Sequence, residues 1–388
     1  MSGFMRKRGS SWELRLYTGR DALTGKKQWT TRSVKGTKRE AERALAAFVA
    51  EADRGVLATP GVTVGELLER WFEHARADFS PKTVLETRGV IDRYLLPGLG
   101  AVRLAKLRTD DLDRFYRELR ARGSKTGEPL APATVRRTHG ILRRALTQGV
   151  RWGWLSVNPA LNASPPRVPV SEINAPSPRD VARLFALAQE TDPDLAVFIV
   201  LAAATGARRS ELVALRWADV DLQTGSISIS RGVVMGPDGL VEKDTKTHAS
   251  RRVSLDTTAI ELLREYRERW DARLGSVGSA VEPTAFVFTH NLDGATSWRP
   301  DSTTRAFVRL CRRASITGVR LHDLRHYVAT QMLAAGVDVR TVAGRLGHRN
   351  AATTLNVYSH FLPEADRKAA ALLGRLFDAA VDAERPAS

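Results

Sequence analysis

The chain has 388 residues, 43% of them hydrophobic, which is enough for two or three packed domains and too apolar for a disordered tail. Its 60 Lys and Arg outnumber 43 Asp and Glu, giving a net charge of +17, and the single cysteine, Cys311, excludes an internal disulfide framework and a cysteine-built zinc site. No stretch approaches the ~18 apolar residues of a membrane span. The opening MSGFMRKRGSSWE has no signal-peptide core, so a cytoplasmic protein without membrane contact is expected.

The excess charge is concentrated at the front. Residues 1–60 hold 13 basic and 6 acidic side chains, residues 61–170 hold 19 and 11, and the remainder holds 28 and 26. A polyanion is the partner this distribution suggests, because neutralising phosphates releases condensed counterions. The first segment reads as strands at Phe4–Arg8, Ser11–Tyr17 and Gln28–Val34, with a loop at Gly19, Asp21 and Gly25, followed by a helix capped by Thr37 and Glu40. Such a sheet, carrying Arg6, Lys7, Arg15, Lys26 and Lys27, has the size to enter a DNA major groove; the alternative is a basic module that packs on another domain.

Thr59-Pro60-Gly61 breaks this pattern and a helical region follows. Thr63 and Glu66 suit a capping box for a helix with Val64, Leu67, Leu68, Trp71 and Phe72 on one face. Ser80-Pro81, Thr109 with Asp110 and Asp111, and Pro132-Ala133-Thr134 mark three further starts, the last helix ending near Trp152. That helix carries Arg136, Arg137, Arg143 and Arg144, a set suited to phosphate contact as well as to solvation. The proline-rich stretch Asn158–Pro178 reads as an extended linker.

Beyond it the pattern is mixed. Ser177-Pro178 caps a helix, Leu195–Thr205 is apolar all round and must be buried, and short strands are expected at Ile227–Ile229, Val233–Met235, Arg252–Leu255 and Phe286–Phe288. Helices dominate from Asp301 onward, and Ala369, Leu372, Leu373, Leu376, Phe377 and Val381 share a helical spacing in the tail. The expected fold is therefore multidomain and mainly α with α+β: a small three-stranded sheet plus helix (1–60), a helical domain with linker (61–170) and a mixed α/β domain with tail (171–388).

Four stretches of this last domain concentrate unusual polar residues. In Thr205-Gly206-Ala207-Arg208-Arg209-Ser210-Glu211, a buried helix breaks at glycine and the next opens on Arg208. In Lys243–Arg252, placed in a hairpin between strands, Lys246 sits among basic residues. In His322-Asp323-Leu324-Arg325-His326, His322 and Arg325 are three apart and share a helical face. The pair His322 and His326 lacks the acidic and thiolate companions of a metal site, and no metal or cofactor is expected. In the fourth, Leu346-Gly347-His348 precedes a run ending in Tyr358. A phenol of pKa ~10 is a poor nucleophile at neutral pH unless cations surround it. Two guanidiniums can clamp a phosphodiester, a lysine or histidine can protonate the leaving 5′-oxygen, and tyrosine can attack.

The order TGxR, KT, HxLRH, LGH and Tyr resembles the tyrosine recombinases of the phage-integrase family, most strongly over residues 175–362. The resemblance implies that Arg208 and Arg325 bind the scissile phosphate, Lys246 is the general acid, His322 assists proton transfer, His348 hydrogen-bonds the phosphate, Tyr358 is the nucleophile and Glu211 supports the site. It implies further an arm-type DNA-binding domain in front, a helical SAM-like core-binding domain behind it, and double-stranded DNA with core-type and arm-type sites as partner. A homotetramer on DNA, an accessory excision or host bending factor, and a bacterial cytoplasm belong to the same expectation. The function implied is metal- and ATP-independent integration or excision of a phage or mobile element through a 3′-phosphotyrosyl intermediate. A type IB-like topoisomerase, a DNA-binding accessory protein without catalysis and a metal-dependent nuclease are the alternatives.

Overall fold

Alternation of apolar and polar residues in the first 35 positions builds a sheet. The computed structural model describes residues 3–20, 27–53, 61–169, 174–244, 250–348, 350, 354–355, 367 and 370–378, which form two units, Met1–Val170 and Ser171–Ser388. Lys26, Lys246 and Tyr358 lie outside the described residues, as do the loop at Asp21 and Gly25, Thr59-Pro60, and tail positions Ala369 and Val381.

In the first unit, β1 (Gly3–Arg8), β2 (Ser11–Arg20) and β3 (Lys27–Lys35) pair antiparallel in that order. Leu14 and Leu16 of β2 are fully buried against Ala41 and Phe48 of α1 (Lys38–Asp53). The expected cap is present: the Glu40 carboxylate accepts from Thr37 N–H at 2.7 Å, and Glu40 N–H donates to Thr37 Oγ1 at 3.3 Å. Strand register puts Phe4, Arg15, Tyr17 and Trp29 on the sheet face away from that core.

A second core in this unit gathers α2 (Val64–Ala75), α3 (Pro81–Val90), α4 (Leu96–Leu99), α5 (Thr109–Arg122) and α6 (Pro132–Arg151). The Thr63–Glu66 capping box opens α2, whose Val64, Leu67, Leu68, Trp71 and Phe72 are all buried. Ser80 caps α3, and a π-helical turn, Ile91–Leu95, carries α3 into α4. The proline-rich stretch is less of a free linker than its composition suggests. Asn158 bonds the Arg143 carbonyl at 2.9 Å and Thr147 at 2.8 Å, and Ser164 N–H donates to Asp113 at 2.7 Å, so its first third is fastened to α5 and α6.

The second unit is built around α8 (Pro193–Thr205), whose apolar surface on every side is met by α7 (Pro178–Thr191), α10 (Thr257–Gly275), α11 (Pro300–Arg313) and α12 (Asp323–Ala334). One-turn α9 (Arg209–Leu212) follows α8, and α13 (Val339–Leu346) packs on α12 through Val328, Ala329, Leu333, Val342 and Leu346. Two small sheets lie in between, β4 (Val220–Asp221), β5 (Ser226–Ile229) and β8 (Arg251–Ser254) in one, β6 (Arg231–Gly236) and β7 (Gly239–Asp244) in the other. β7 pairs with β6 and β8 pairs with β5, not with each other, which corrects the single hairpin expected across Lys243–Arg252. Phe286–Phe288 is likewise no strand. Its amides bond outward, Phe286 N–H to the Gly294 carbonyl and Val287 N–H to the Leu215 carbonyl, leaving only an isolated bridge to Arg216.

The architecture is thus multidomain and mainly helical with small antiparallel sheets. No helix among the described residues is long and apolar enough to cross a membrane. Residues 370–378 are helical, with Leu372, Leu373, Leu376 and Phe377 all exposed.

Candidate active site

Two left-handed glycines organise the site. Gly206 (φ +63°) ends α8 and Gly347 (φ +69°) ends α13, so each helix stops where the next residues can turn outward. The two ends abut: a methyl group on Gly206 would fall 2.4 Å from Leu346 Cδ2. That contact sets Arg208, two residues beyond one glycine, beside His348, directly after the other, and Arg208 Nη2 lies 3.5 Å from the Gly347 carbonyl.

Arg208 precedes α9, and Glu211 at the third helical position takes three donors. It accepts the Arg208 N–H at 2.9 Å, Arg208 Nη1 at 2.7 Å and Arg251 Nη2 at 2.6 Å, with its side chain only 3% exposed. Burial on its own would push the Glu211 carboxyl up. The hydrogen bond and charge of Arg251, then the Arg208 N–H and charge, outweigh it and hold the group below the usual carboxylate range.

Arg325, in the first turn of α12, is 4% exposed and donates from Nη1 to the Gly206 carbonyl at 2.7 Å. Fully buried Asp323 fixes that turn by accepting the Arg320 N–H at 2.7 Å. His322 stands exposed at the start of the same helix, its ring 5.1 Å edge-on from that of His326. The protein packed around His322, with the charges of His326 and Arg325, pushes its pKa down to about 4. His348 is also pushed down to about 4, by burial and then by Arg325, Arg208 and Arg251. Its Nδ1 sits 2.8 Å from Oγ1 of Thr354, which is fully buried four residues ahead of Tyr358.

The structure therefore brings together Arg208, Glu211, His322, Arg325 and His348. Sequence reasoning missed Arg251 and Thr354. Alternation along β8 held the signal for Arg251, which shares its strand face with buried Val253 while Arg252 points the other way to Asp221 and Ser226.

The residues expected to hold DNA are more varied. Arg6 and Lys7 are exposed on opposite faces of β1, Lys27 is exposed at the start of β3, and Arg15 stacks between Phe4 and Trp29 at 5.8 and 5.6 Å. On α6, Arg136 donates to the Pro166 carbonyl at 3.2 Å, Arg137 pairs with Glu86 at 2.5 Å, Arg144 lies over Trp71 and Phe79, and Arg143 is exposed.

Comparison with known proteins finds relatives of both domains. Residues 177–364 match the Phage integrase family, and residues 63–120 match the phage integrase N-terminal SAM-like domain. A tyrosine recombinase XerC-like protein of Caldanaerobacter subterraneus subsp. tengcongensis is 25% identical over 88% of this chain and 90% of its own. The ICEBs1 integrase of Bacillus subtilis is 24% identical over 91% and 94%. A solved fragment of the Tn1549 transposon integrase, in complex with transposon right end DNA, superimposes with a TM-score of 0.67 at 18% identity, covering 81% of this chain and all of that one. With both its catalytic domain and its SAM-like domain matched, the chain belongs to the phage integrase family of tyrosine recombinases.

Proposed function

We propose that this chain is a site-specific DNA recombinase, an integrase that inserts or excises a phage or other mobile element. The observation that carries the proposal is the meeting of the α8 and α13 ends, which converges Arg208, Arg325 and His348 on one small surface beside His322. Two fixed guanidiniums match the two non-bridging oxygens of one phosphodiester, and their anchoring on Glu211 and the Gly206 carbonyl means they need no reorganisation when charge builds up there.

In this reading the Tyr358 oxygen attacks the scissile phosphorus, the P–O5′ bond breaks, and the 5′-oxygen takes a proton from Lys246. Neutral His322 has a lone pair at physiological pH and receives the phenolic proton. If the Thr354 hydroxyl donates to His348 Nδ1, the imidazole proton sits on Nε2, which then donates to the phosphate. The 3′-phosphotyrosyl ester conserves the bond energy, and a 5′-hydroxyl from the partner strand reverses the step.

The three regions divide the remaining work. Residues 1–60 hold an arm-type site with Arg6, Lys7, Arg15, Lys26 and Lys27; residues 61–170 and the catalytic domain hold the core, through the exposed α6 arginines Arg136, Arg137, Arg143 and Arg144. Four copies assemble on two sites, and the exposed Leu372, Leu373, Leu376 and Phe377 suit a tail that packs on a neighbouring copy. Such work takes place in a bacterial cytoplasm, with an excision or DNA-bending factor as accessory.

A core duplex recovered by binding selection from random-sequence DNA supplies the substrate. A plasmid carrying two such cores should yield recombinant circles in EDTA, whereas rapid relaxation of a plasmid lacking them would favour a topoisomerase.

A further inference from the structure

The side chain of Arg251, 9% exposed, is held on three sides. Its Nη2 donates to Glu211 Oε2 at 2.6 Å, its Nε donates to the Arg345 carbonyl at 2.9 Å, and its guanidinium packs against Gly347, where a methyl group would come 2.8 Å from Nη1. One guanidinium thus ties the start of β8 to the carboxylate that orients Arg208 and to the turn that carries His348.

The charges add a second consequence. Glu211 carries one negative charge and faces two guanidiniums. With Arg251 in place, its charge is shared, and Arg208 keeps a net positive field toward the open side of the cradle. Without Arg251, Glu211 would be a full counter-ion for Arg208, and Arg208 would both move and lose its pull on an anion.

We propose that Arg251 is a positioning residue of the phosphate cradle, which fixes Arg208 and His348 relative to each other and leaves the charge of Arg208 available to the scissile phosphate. This rests on the recombinase reading above. Neither consequence extends to Arg252, whose guanidinium bonds Asp221, Thr224 and Ser226 on the opposite strand face.

The test is single-turnover cleavage of the selected core duplex by full-length protein. It compares wild type, Arg251→Met, Arg251→Lys, Arg252→Met and Arg208→Ala, with DNA binding measured in parallel. Each protein meets two substrates, one with an ordinary scissile phosphate and one in which a methyl group replaces a non-bridging oxygen, so that no negative charge needs clamping. Arg251→Met should cleave the phosphate substrate about 100-fold more slowly while binding DNA within about 3-fold of wild type. Its deficit should shrink by about 10-fold or more on the neutral substrate, as for Arg208→Ala.

Arg251→Lys keeps the charge and guards against loss of folding in the methionine variant; it should fall between wild type and Arg251→Met. Arg252→Met should match wild type. Wild-type rates in both Arg251 variants, or an equal loss on the two substrates, would overturn the proposal. Absence of cleavage by wild type would overturn the recombinase reading itself, and this inference with it.

Discussion

At Glu211, one carboxylate receives a backbone amide and two guanidiniums while almost wholly buried. Removing its charge leaves two arginines without a counter-ion in a desolvated place, and breaking a buried pair this way costs about 3–5 kcal/mol. Glu211→Gln should therefore lower the stability of the protein by roughly 3 kcal/mol and abolish cleavage, whereas exposed Glu73→Gln should change neither; urea melts and adduct yields check both.

The histidines give a second expectation. Folded His322 and His348 titrate near 4, while in the unfolded chain they return to about 6.5. Between those values the unfolded chain binds protons that the folded chain does not, so stability should fall as pH drops from 6.5 to 4 and level off below. Melts of wild type against His322→Asn and His348→Asn should show that slope diminished in the variants; an unchanged slope would contradict it. Arg208, His322, Arg325 and His348 were legible in sequence because each sits in a short polar motif beside a glycine or a helix start. Arg251 and Thr354 were not, because their partners are 40 and 6 residues away and their burial depends on how the α13 end docks.

Among the elements, the meeting of α8 and α13 is the part most exposed to a single methyl group. Gly206 has a φ of +63°, in the left-handed region, and its α-carbon faces fully buried Leu346. Gly206→Ala should cost about 1–3 kcal/mol and slow cleavage more than DNA binding, since it displaces Arg208 and not the DNA-holding domains. Differential scanning calorimetry and a cleavage time course on the same variant separate the two effects.

Capping signals were the most readable feature at this scale: Thr37–Glu40, Thr63–Glu66, Ser80-Pro81 and Ser177-Pro178 each open a helix where the side chains say. The failures share a cause. Phe286–Phe288 has the apolar content of a buried strand, but its amides bond to turns at Gly294 and Leu215, and no periodicity shows whether a neighbouring strand will be present. The Lys243–Arg252 segment reads as one hairpin locally, yet β8 finds its partner in β5, more than 20 residues earlier.

For the whole molecule, the charge distribution separates holding DNA from cutting it. Residues 1–170 carry nearly all the net positive charge, and each phosphate they neutralise adds about 0.9 to the slope of log K against log salt. Deleting residues 1–60 should flatten that slope and weaken recombination while leaving cleavage of a core duplex largely intact; loss of core cleavage would mean that this segment serves the catalytic domain directly.

The central claim is that Tyr358 forms a covalent bond to DNA. It is tested most directly with a core duplex nicked next to the crossover point, so that the short 5′-hydroxyl fragment diffuses away and religation stops. Incubated in EDTA, the wild-type protein should accumulate a covalent adduct resistant to denaturant, with the DNA mapped to the peptide containing Tyr358, and Tyr358→Phe should form none. An adduct that persists in Tyr358→Phe would contradict the account.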